Sequence, residues 1–544
     1  MSAKTKNAES VFYISTMHTI LPFLLAMAAA VVLLEMLAAK MRIAYPILLV
    51  IAGLLLSFVP GLPVVKIDPD LIFFIFMPPL LFEACWSSSF KEMRKWWRII
   101  SSFAFIVVFF TALSVALIVN HFIPGFTIAL GFLLGGIVAP PDAVSTSAIT
   151  KFVKIPKFSA AVLEGESLLN DASALIIFRF ALVAVGTGQF VWQQAALSFL
   201  WMVTGGVAVG LSLGWLFVRL HKLLKMDAAS NIVFTLIEPY CLYWLAEQLH
   251  CSGVLAIVSG GLFLSIRRNE FLDSESRIKG LNVWESFVFI LNGIVFLIIG
   301  LELPEIERGI RSAGGSLSTA FGYGVLVTGV LIVTRLISAY GAMLATYIFR
   351  PGVMPKNASR SRILLFPLLL GWSGMRGVVS LAAALAIPVA LDNGNAFPQR
   401  NMILFITFVA ILLTLVIQGL TLPFLIRRLK FIRLSDRDEP EEETRHKIRQ
   451  GLKERTYNFW KDKYENELNG HEGVAQLVKL WEQKAQSGND NGMDKKTKAV
   501  HMELLEHQRQ YLFELNRDPD INEELIREEL YQIDLEEERL KIST

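Results

Sequence analysis

Apolar runs of about twenty residues, separated by short polar stretches, fill the chain up to about residue 430, where the pattern changes. A helix crossing a bilayer needs ~20 mostly apolar residues. Thirteen segments qualify, near residues 17–39, 43–59, 70–88, 99–121, 126–149, 158–185, 192–219, 229–249, 252–266, 280–301, 316–349, 363–390 and 401–427. The ninth is short and the eleventh is long enough to tilt. Ala26-Met27-Ala28 mimics a leader cleavage site, but the apolar run continues to Ala39, so the first segment reads as a retained span. Beyond residue 430 the apolar positions become periodic. "HMELLEHQRQYLFELNRDPDINEELIREELYQIDLEEERL" predicts two amphipathic helices split at Arg517-Asp518-Pro519-Asp520, and Leu525, Ile526, Leu530, Ile533 and Leu540 form a stripe on the second. "QSGNDNG" (486–492) predicts a flexible break before them. The expected fold is an all-α polytopic membrane protein of about 13 transmembrane helices with a charged helical tail. Residues 1–433 form the membrane domain and 434–544 the tail, which offers either a solvated helical pair or a regulatory or dimer-stabilising surface.

Charge sharpens this division. The chain is 54% hydrophobic and only 18% charged, against about 25% charged for a soluble domain. Residues 434–544 carry net −9 and residues 1–433 net +12. Twenty Lys and Arg fall in alternate connecting loops, after the first, third, fifth, seventh, ninth and eleventh spans. The other loops hold four, Lys66, Arg308, Arg311 and Arg400. Basic loops prefer the cytoplasmic side, which puts the N-terminus outside, the tail inside and the chain in the plasma (inner) membrane. Arg427, Arg428, Lys430 and Arg433 would hold the last span at the anionic inner leaflet. Cys85, Cys241 and Cys251 match no disulfide or zinc spacing and read as buried thiols. The histidines form no metal-binding cluster, so no metal or cofactor is expected, and no nucleic-acid partner.

Most spans are clean, and the exceptions carry the chemistry. An ionisable residue within a span costs at least ~3 kcal/mol and is a functional candidate by default. The third span ends "MPPLLFEACW", with Glu83. The fifth contains "GGIVAPPDAVSTSAI", with Pro140, Pro141 and Asp142. The sixth opens "GESLLNDAS", with Glu166, Ser167, Asn170 and Asp171. The twelfth contains "GWSGMRGVVSLA", with three glycines around Arg376. Prolines remove backbone donors, and broken backbone at membrane depth is tolerated only inside protein or beside a cavity. The two interruptions lie seven spans apart, an odd offset that inverts their direction. Spans 1–6 and 8–13 thus read as two six-helix inverted repeats, an arrangement that places a secondary transporter's substrate site at the interrupted pair.

At helical spacing Ser167 and Asp171 share one face of the sixth span, and Glu166 and Asn170 a neighbouring one. The first face, with Asp142, Glu83 and carbonyls freed near Pro141, offers hard oxygen ligands suited to a monovalent cation. Glu166 needs a basic partner, for which Arg376 is the natural candidate and Arg179 and Arg335 compete. Asn292, in "LNGIVFLIIGLEL", is either a site residue or a helix-packing polar group. Glu238 and Glu285 have no assigned role.

These segments resemble the sodium/proton exchanger family, the electroneutral branch of the monovalent cation:proton antiporters. The resemblance covers most of residues 15–430 and rests on "FMPPLLFEA", "APPDAVSTSAI", "EGESLLNDASALI", "LNGIVFLIIGLEL" and "GWSGMRGVVSLAAALAIP". "REELYQIDLEEERL" resembles the ending of bacterial members. The resemblance implies a secondary transporter rather than an enzyme, exchanging Na+, and in some members Li+, for H+ in pH and sodium homeostasis. It implies that Asp171 carries proton and cation in turn, that Ser167, Asp142, Glu83 and the Pro141 carbonyl complete the cation site, and that Asn170 marks the electroneutral Asn-Asp pair. It further implies a Glu166–Arg376 pair holding two crossed broken helices, and a homodimer built from core and scaffold bundles. Pro141 stands where many members have threonine, which removes a hydroxyl and leaves ion preference open. K+/H+ exchange by the same residues is the main alternative. A non-transporting sensor is a remote one, and an intramembrane aspartyl protease lacks its GxGD signature here.

Overall fold

Polar residues between the apolar runs start the helices. Ser89, Thr127 and Ser252 each accept a hydrogen bond from the backbone N–H three residues on, and Asp227 and Asp273 do the same with their carboxylates. Such N-caps satisfy donors that a helix start leaves without partners. The computed structural model describes residues 2–429 apart from 42, 60–68, 143–156, 189–191, 313, 350–359 and 392–393, scattered positions between 444 and 459, and 495–542 apart from 519–520. Residues 143–149 of the fifth predicted span, the predicted break at 486–492 and the proposed boundary at 433/434 lie outside the described residues.

The elements are helical, with one isolated β-bridge, Ala390–Ala396, among the described residues. The first ten are α1 (Ser2–Met41), α2 (Tyr45–Leu56), α3 (Pro69–Ser87), α4 (Phe90–Phe122), α5 (Ile128–Val138), α6 (Lys157–Thr187), α7 (Trp192–Leu224), α8 (Ala228–Gln248), α9 (Gly253–Phe271) and α10 (Ser274–Leu301). A short amphipathic α11 (Leu303–Ser312) precedes α12 (Leu317–Phe349), α13 (Arg360–Trp372) and α14 (Val378–Leu385). α15 starts at Arg400–Leu413 and continues through a π turn, Thr414–Gln418, into Gly419–Leu429. The tail contributes α16 (Lys495–Leu515) and α17 (Glu523–Ile542). Seven of the described helices are long and apolar enough to cross a membrane, and three shorter apolar helices, Tyr45–Leu56, Phe74–Ser87 and Ile128–Val138, accompany them.

Small residues set how closely these helices approach. A methyl group on Gly300 would meet Leu54 N and Val50 O, and one on Gly53 would meet Leu297 O, so α2 and α10 cross backbone to backbone. Gly131 and Gly135 of α5 lie in the same way against Ala116 and Ala112 of α4. One apolar core joins α2, α5, α10, α14 and α15, and a second joins α3, α6, α8 and α9.

The tail helices bury the predicted stripe. Leu525, Ile526, Leu530, Ile533 and Leu540 pack with Leu505 and Leu512 of α16 and with Ile448 and Leu452. The polar side of α17 then lies on the membrane helices. Arg527 donates to the carbonyls of Ser87 and Ser88 at 2.6 and 2.8 Å, closing the end of α3. Glu523 accepts from the Lys91 backbone at 3.2 Å, Ser274 bonds Glu538 at 3.2 Å, and Arg277 grips Asp534, which Arg509 also reaches at 3.0 Å.

Candidate functional site

α5 and α14 are the two interrupted elements, and the structure brings their broken ends together. In an uninterrupted helix the N–H groups at 140, 141 and 142 would serve the carbonyls of Gly136, Ile137 and Val138. Pro140 and Pro141 have no N–H, and the Asp142 N–H turns away to the Met375 carbonyl, 2.7 Å distant. The end of α5 therefore has vacant carbonyls, and Arg376 fills them. Its Nε donates to Val138 O at 2.9 Å and its NH2 to Ala139 O at 3.4 Å, while NH1 donates to Gly374 O. Its backbone N–H rests on the Thr414 hydroxyl at 3.2 Å, at the start of the π turn of α15. Arg376 is completely buried. Asp142 answers in the other direction: its carboxylate occupies the space a Cβ at Gly377 would need, at the start of α14. Each broken end thus carries a side chain of the sign its helix dipole favours, supplied from the opposite strand of the crossing.

This geometry corrects one expectation. Glu166 does not pair with Arg376. It holds Arg335 of α12 in a two-pronged ion pair, with Oε1 at 2.6 Å from NH1 and Oε2 at 3.0 Å from NH2. Both side chains are almost fully buried. The reason is donor supply: the guanidinium of Arg376 is already committed to three carbonyls. Gly374 makes the Arg335 position possible, because a methyl group there would collide with the Arg335 stem. Arg179, the other competitor, forks onto Glu247 at 2.7 and 2.8 Å.

The remaining candidates fall into two groups. Asp171 and Asn170 are buried on α6 beside the crossing. Asn170 Nδ2 reaches the Pro141 carbonyl at 3.4 Å, and its Oδ1 has no hydrogen-bond partner among the described residues. Asp171 lies close enough to Asp142 for their charges to interact, and it makes no hydrogen bond or ion pair among the described residues. Ser167 is half-buried one turn before Asp171. The charge of Glu83 meets Glu285 of α10 and the hydroxyl of Ser87, and Tyr45 lies within reach of the charges of both Glu83 and Asp142. Asn292 is buried on α10, its Oδ1 without a partner among the described residues.

Some polar groups carried no signal strong enough to find in advance. Gln418, at the π turn of α15, is completely buried, and neither amide atom has a partner among the described residues. His221 and Glu238 form a buried pair at 2.8 Å, and Asn231 holds the other ring nitrogen at 2.9 Å. The Glu238-Pro239 sequence was visible, but a lone histidine at the end of an apolar run does not announce its partner.

Two interrupted helices that cross beside a buried carboxylate are the arrangement of a secondary transporter. Residues 26–428 match the transmembrane sodium/hydrogen exchanger family, and the chain belongs to that family. It is 30% identical over 536 residues to an uncharacterised Na+/H+ exchanger of Mycobacterium tuberculosis, covering 95% of each chain. It is 32% identical to the sodium, potassium, lithium and rubidium/H+ antiporter of Bacillus subtilis, over 70% of this chain and 57% of that one. The low-affinity Na+/H+ antiporter NhaS1 of Synechocystis is 30% identical over 72% and 70% of the two chains. The fold matches the sodium proton antiporter MjNhaP1 of Methanocaldococcus jannaschii with a TM-score of 0.57 at 18% identity, over 76% of this chain and 99% of that one.

Proposed function

We propose that the chain exchanges Na+ for H+ one for one across the plasma membrane, with Asp171 carrying each ion in turn. The observation that carries this reading is the isolation of Asp171: it is buried, and among the described residues no basic side chain pairs with it. An unpaired buried carboxylate costs several kcal/mol, so it needs a mobile positive charge, and a proton and a small cation each supply one. They exclude each other at a single carboxylate. If only the neutralised site crosses, exchange is obligatory and carries no net charge.

In this reading Ser167, Asp142 and the second lone pair of the Pro141 carbonyl complete the cation shell. Glu83 contributes charge from the end of α3. Asn170, Glu166 and Arg376 fix the crossing, and Asn292 braces α10. The membrane domain forms two inverted six-span halves among thirteen spans, with the N-terminus outside and the tail cytoplasmic. The working unit is a homodimer in which a core bundle rocks against a scaffold. A second reading, K+/H+ exchange at the same site, is favoured by one observation, the potassium in the name of the Bacillus relative.

The test uses purified protein in sealed liposomes with an internal pH dye. Sodium-driven proton efflux that is indifferent to a clamped potential, and lost in Asp171→Asn, is the expected result. A response to K+ alone selects the second reading. Undiminished exchange in Asp171→Asn overturns the assignment of the carrier.

A further inference from the structure

Between the tail and the membrane helices lies a partly open cavity of about 50 Å3, several times the ~10–15 Å3 that one water requires. Its walls bring together three guanidinium groups, Arg268 of α9, Arg277 of α10 and Arg527 of α17, against one carboxylate, Asp534. That carboxylate is already engaged. Arg277 Nε lies 2.8 Å from it and Arg509 NH2 3.0 Å. Arg527 is likewise committed, to the Ser87 and Ser88 carbonyls and to Glu523 at 2.8 Å. Arg268 differs. Among the described residues its half-buried guanidinium has no hydrogen bond and no ion pair. Burial first, and then the neighbouring charge of Arg527, push it down to about 10. The cavity thus holds a guanidinium that no described carboxylate grips directly, its charge met only at longer range by Glu523 and Asp534, beside two more of the same sign.

The planar donor fork of arginine matches phosphate oxygens, and two or three forks around one cavity make a strong anion grip. Trp86, Trp284 and Tyr531 give the same cavity aromatic walls that shield such a contact from water. We propose that this seam is a binding site for a phosphate-bearing anion, held by Arg268 with Arg277 and Arg527 beside it. An occupant would touch α9, α10 and α17 together and so fasten the tail to the membrane helices. The phosphate could come from the headgroup of an acidic phospholipid or from a soluble phosphate ester. The inference does not depend on which ion Asp171 carries.

The experiment uses the full-length protein in an uncharged detergent, titrated at constant ionic strength with inorganic pyrophosphate. In a second arm the protein is placed in phosphatidylcholine nanodiscs with and without phosphatidylglycerol. The readouts are the thermal midpoint and the hydrogen exchange of residues 523–535. A saturable rise in the midpoint, with at least tenfold slower exchange, is expected in one arm, and the responding arm names the source. Arg268→Gln should weaken the response at least tenfold. Arg267→Gln, an equal charge change on the exposed neighbour, should keep it. Gly280→Leu tests the cavity without touching any arginine, since a Cβ at 280 meets only Ile232 at ordinary contact distance, 3.7 Å. It too should abolish the response. No saturable effect in either arm, or an undiminished effect in both Arg268→Gln and Gly280→Leu, overturns the proposal.

Discussion

Replacing Glu166 by glutamine tests how the crossing is built. The substitution keeps the shape of the side chain and removes its charge, so the Arg335 guanidinium is left buried without its counter-ion. Breaking one half of a buried pair costs about 3–5 kcal/mol, because the remaining charge stays desolvated. Two short bonds, 2.6 and 3.0 Å, and side-chain exposures of 1% and 3% place this pair at the upper end of that range. Removing both charges together, in Glu166→Gln with Arg335→Gln, relieves the uncompensated charge. The double variant should therefore lose less than the sum of the singles, with a coupling of roughly 3 kcal/mol, at the top of what residues in contact show.

Arg376→Gln should behave differently. It strands the carbonyls of Val138, Ala139 and Gly374, and hydrogen bonds to charged groups are worth about 1.5–3 kcal/mol each. Glu166 and Arg335 also act on the charge of Arg376, so it should couple to Glu166→Gln, but less strongly than Arg335 does, because no hydrogen bond joins it to Glu166. Denaturant unfolding of the purified variants in detergent micelles measures both cycles. A Glu166–Arg376 coupling larger than the Glu166–Arg335 coupling would refute the assignment and restore the pairing expected from sequence.

Three further outcomes follow from the same geometry. If proton and cation compete for Asp171 as proposed, lowering the pH should raise the apparent KM for sodium with little change in maximal rate, and a fall in maximal rate at constant KM would contradict a shared site. Gly300→Leu should drive a side chain into Leu54 N and Val50 O and lower the yield of monodisperse protein, whereas Gly322→Leu, where nothing lies within 4 Å, should not. Arg277→Gln removes the grip on Asp534 and should speed hydrogen exchange in α17 while leaving α5 and α14 unchanged.

The sequence made the helices legible because hydropathy and helix length are local properties. The edges of α3, α6, α7, α8 and α12 fall within a few residues of those expected, apart from the end of α7, which runs on to Leu224. The breaks were legible for a similar reason. Pro140-Pro141 and the glycines at 371, 374 and 377 alter backbone capacity wherever they occur. The Glu166 partner was not legible. Spacing along α6 assigns Glu166 to a face, but three arginines lay within conceivable reach of that face. What decides between them is the supply of vacant carbonyls near Arg376, which depends on the diverted Asp142 N–H and hence on tertiary contact. The tail divides in the same way. Its apolar stripe followed from periodicity, whereas the docking of Arg527 on the end of α3 and of Asp534 on Arg277 joins residues more than 250 positions apart.

The charges at the crossing sort themselves by mobility. Glu166 is neutralised by Arg335, and Arg376 sits at the negative end of α5. Asp142 sits at the positive end of α14, where the dipole offsets part of its charge. All three compensations are built into the protein and travel with it. Among the described residues Asp171 has no such partner, so in the proposed mechanism the charge state of the crossing is decided at that residue. With a proton or a sodium ion bound the site is balanced, and with neither it carries one uncompensated negative charge. Moving that charge through a low-dielectric barrier costs several kcal/mol, while moving either loaded form does not. The coupling of the two ions then needs no separate gate, because the energetic cost of the empty site prevents an unloaded return. It also explains why the neighbour of Asp171 is an amide: Asn170 can hold the Pro141 carbonyl at 3.4 Å without adding a second charge for the transported ion to balance.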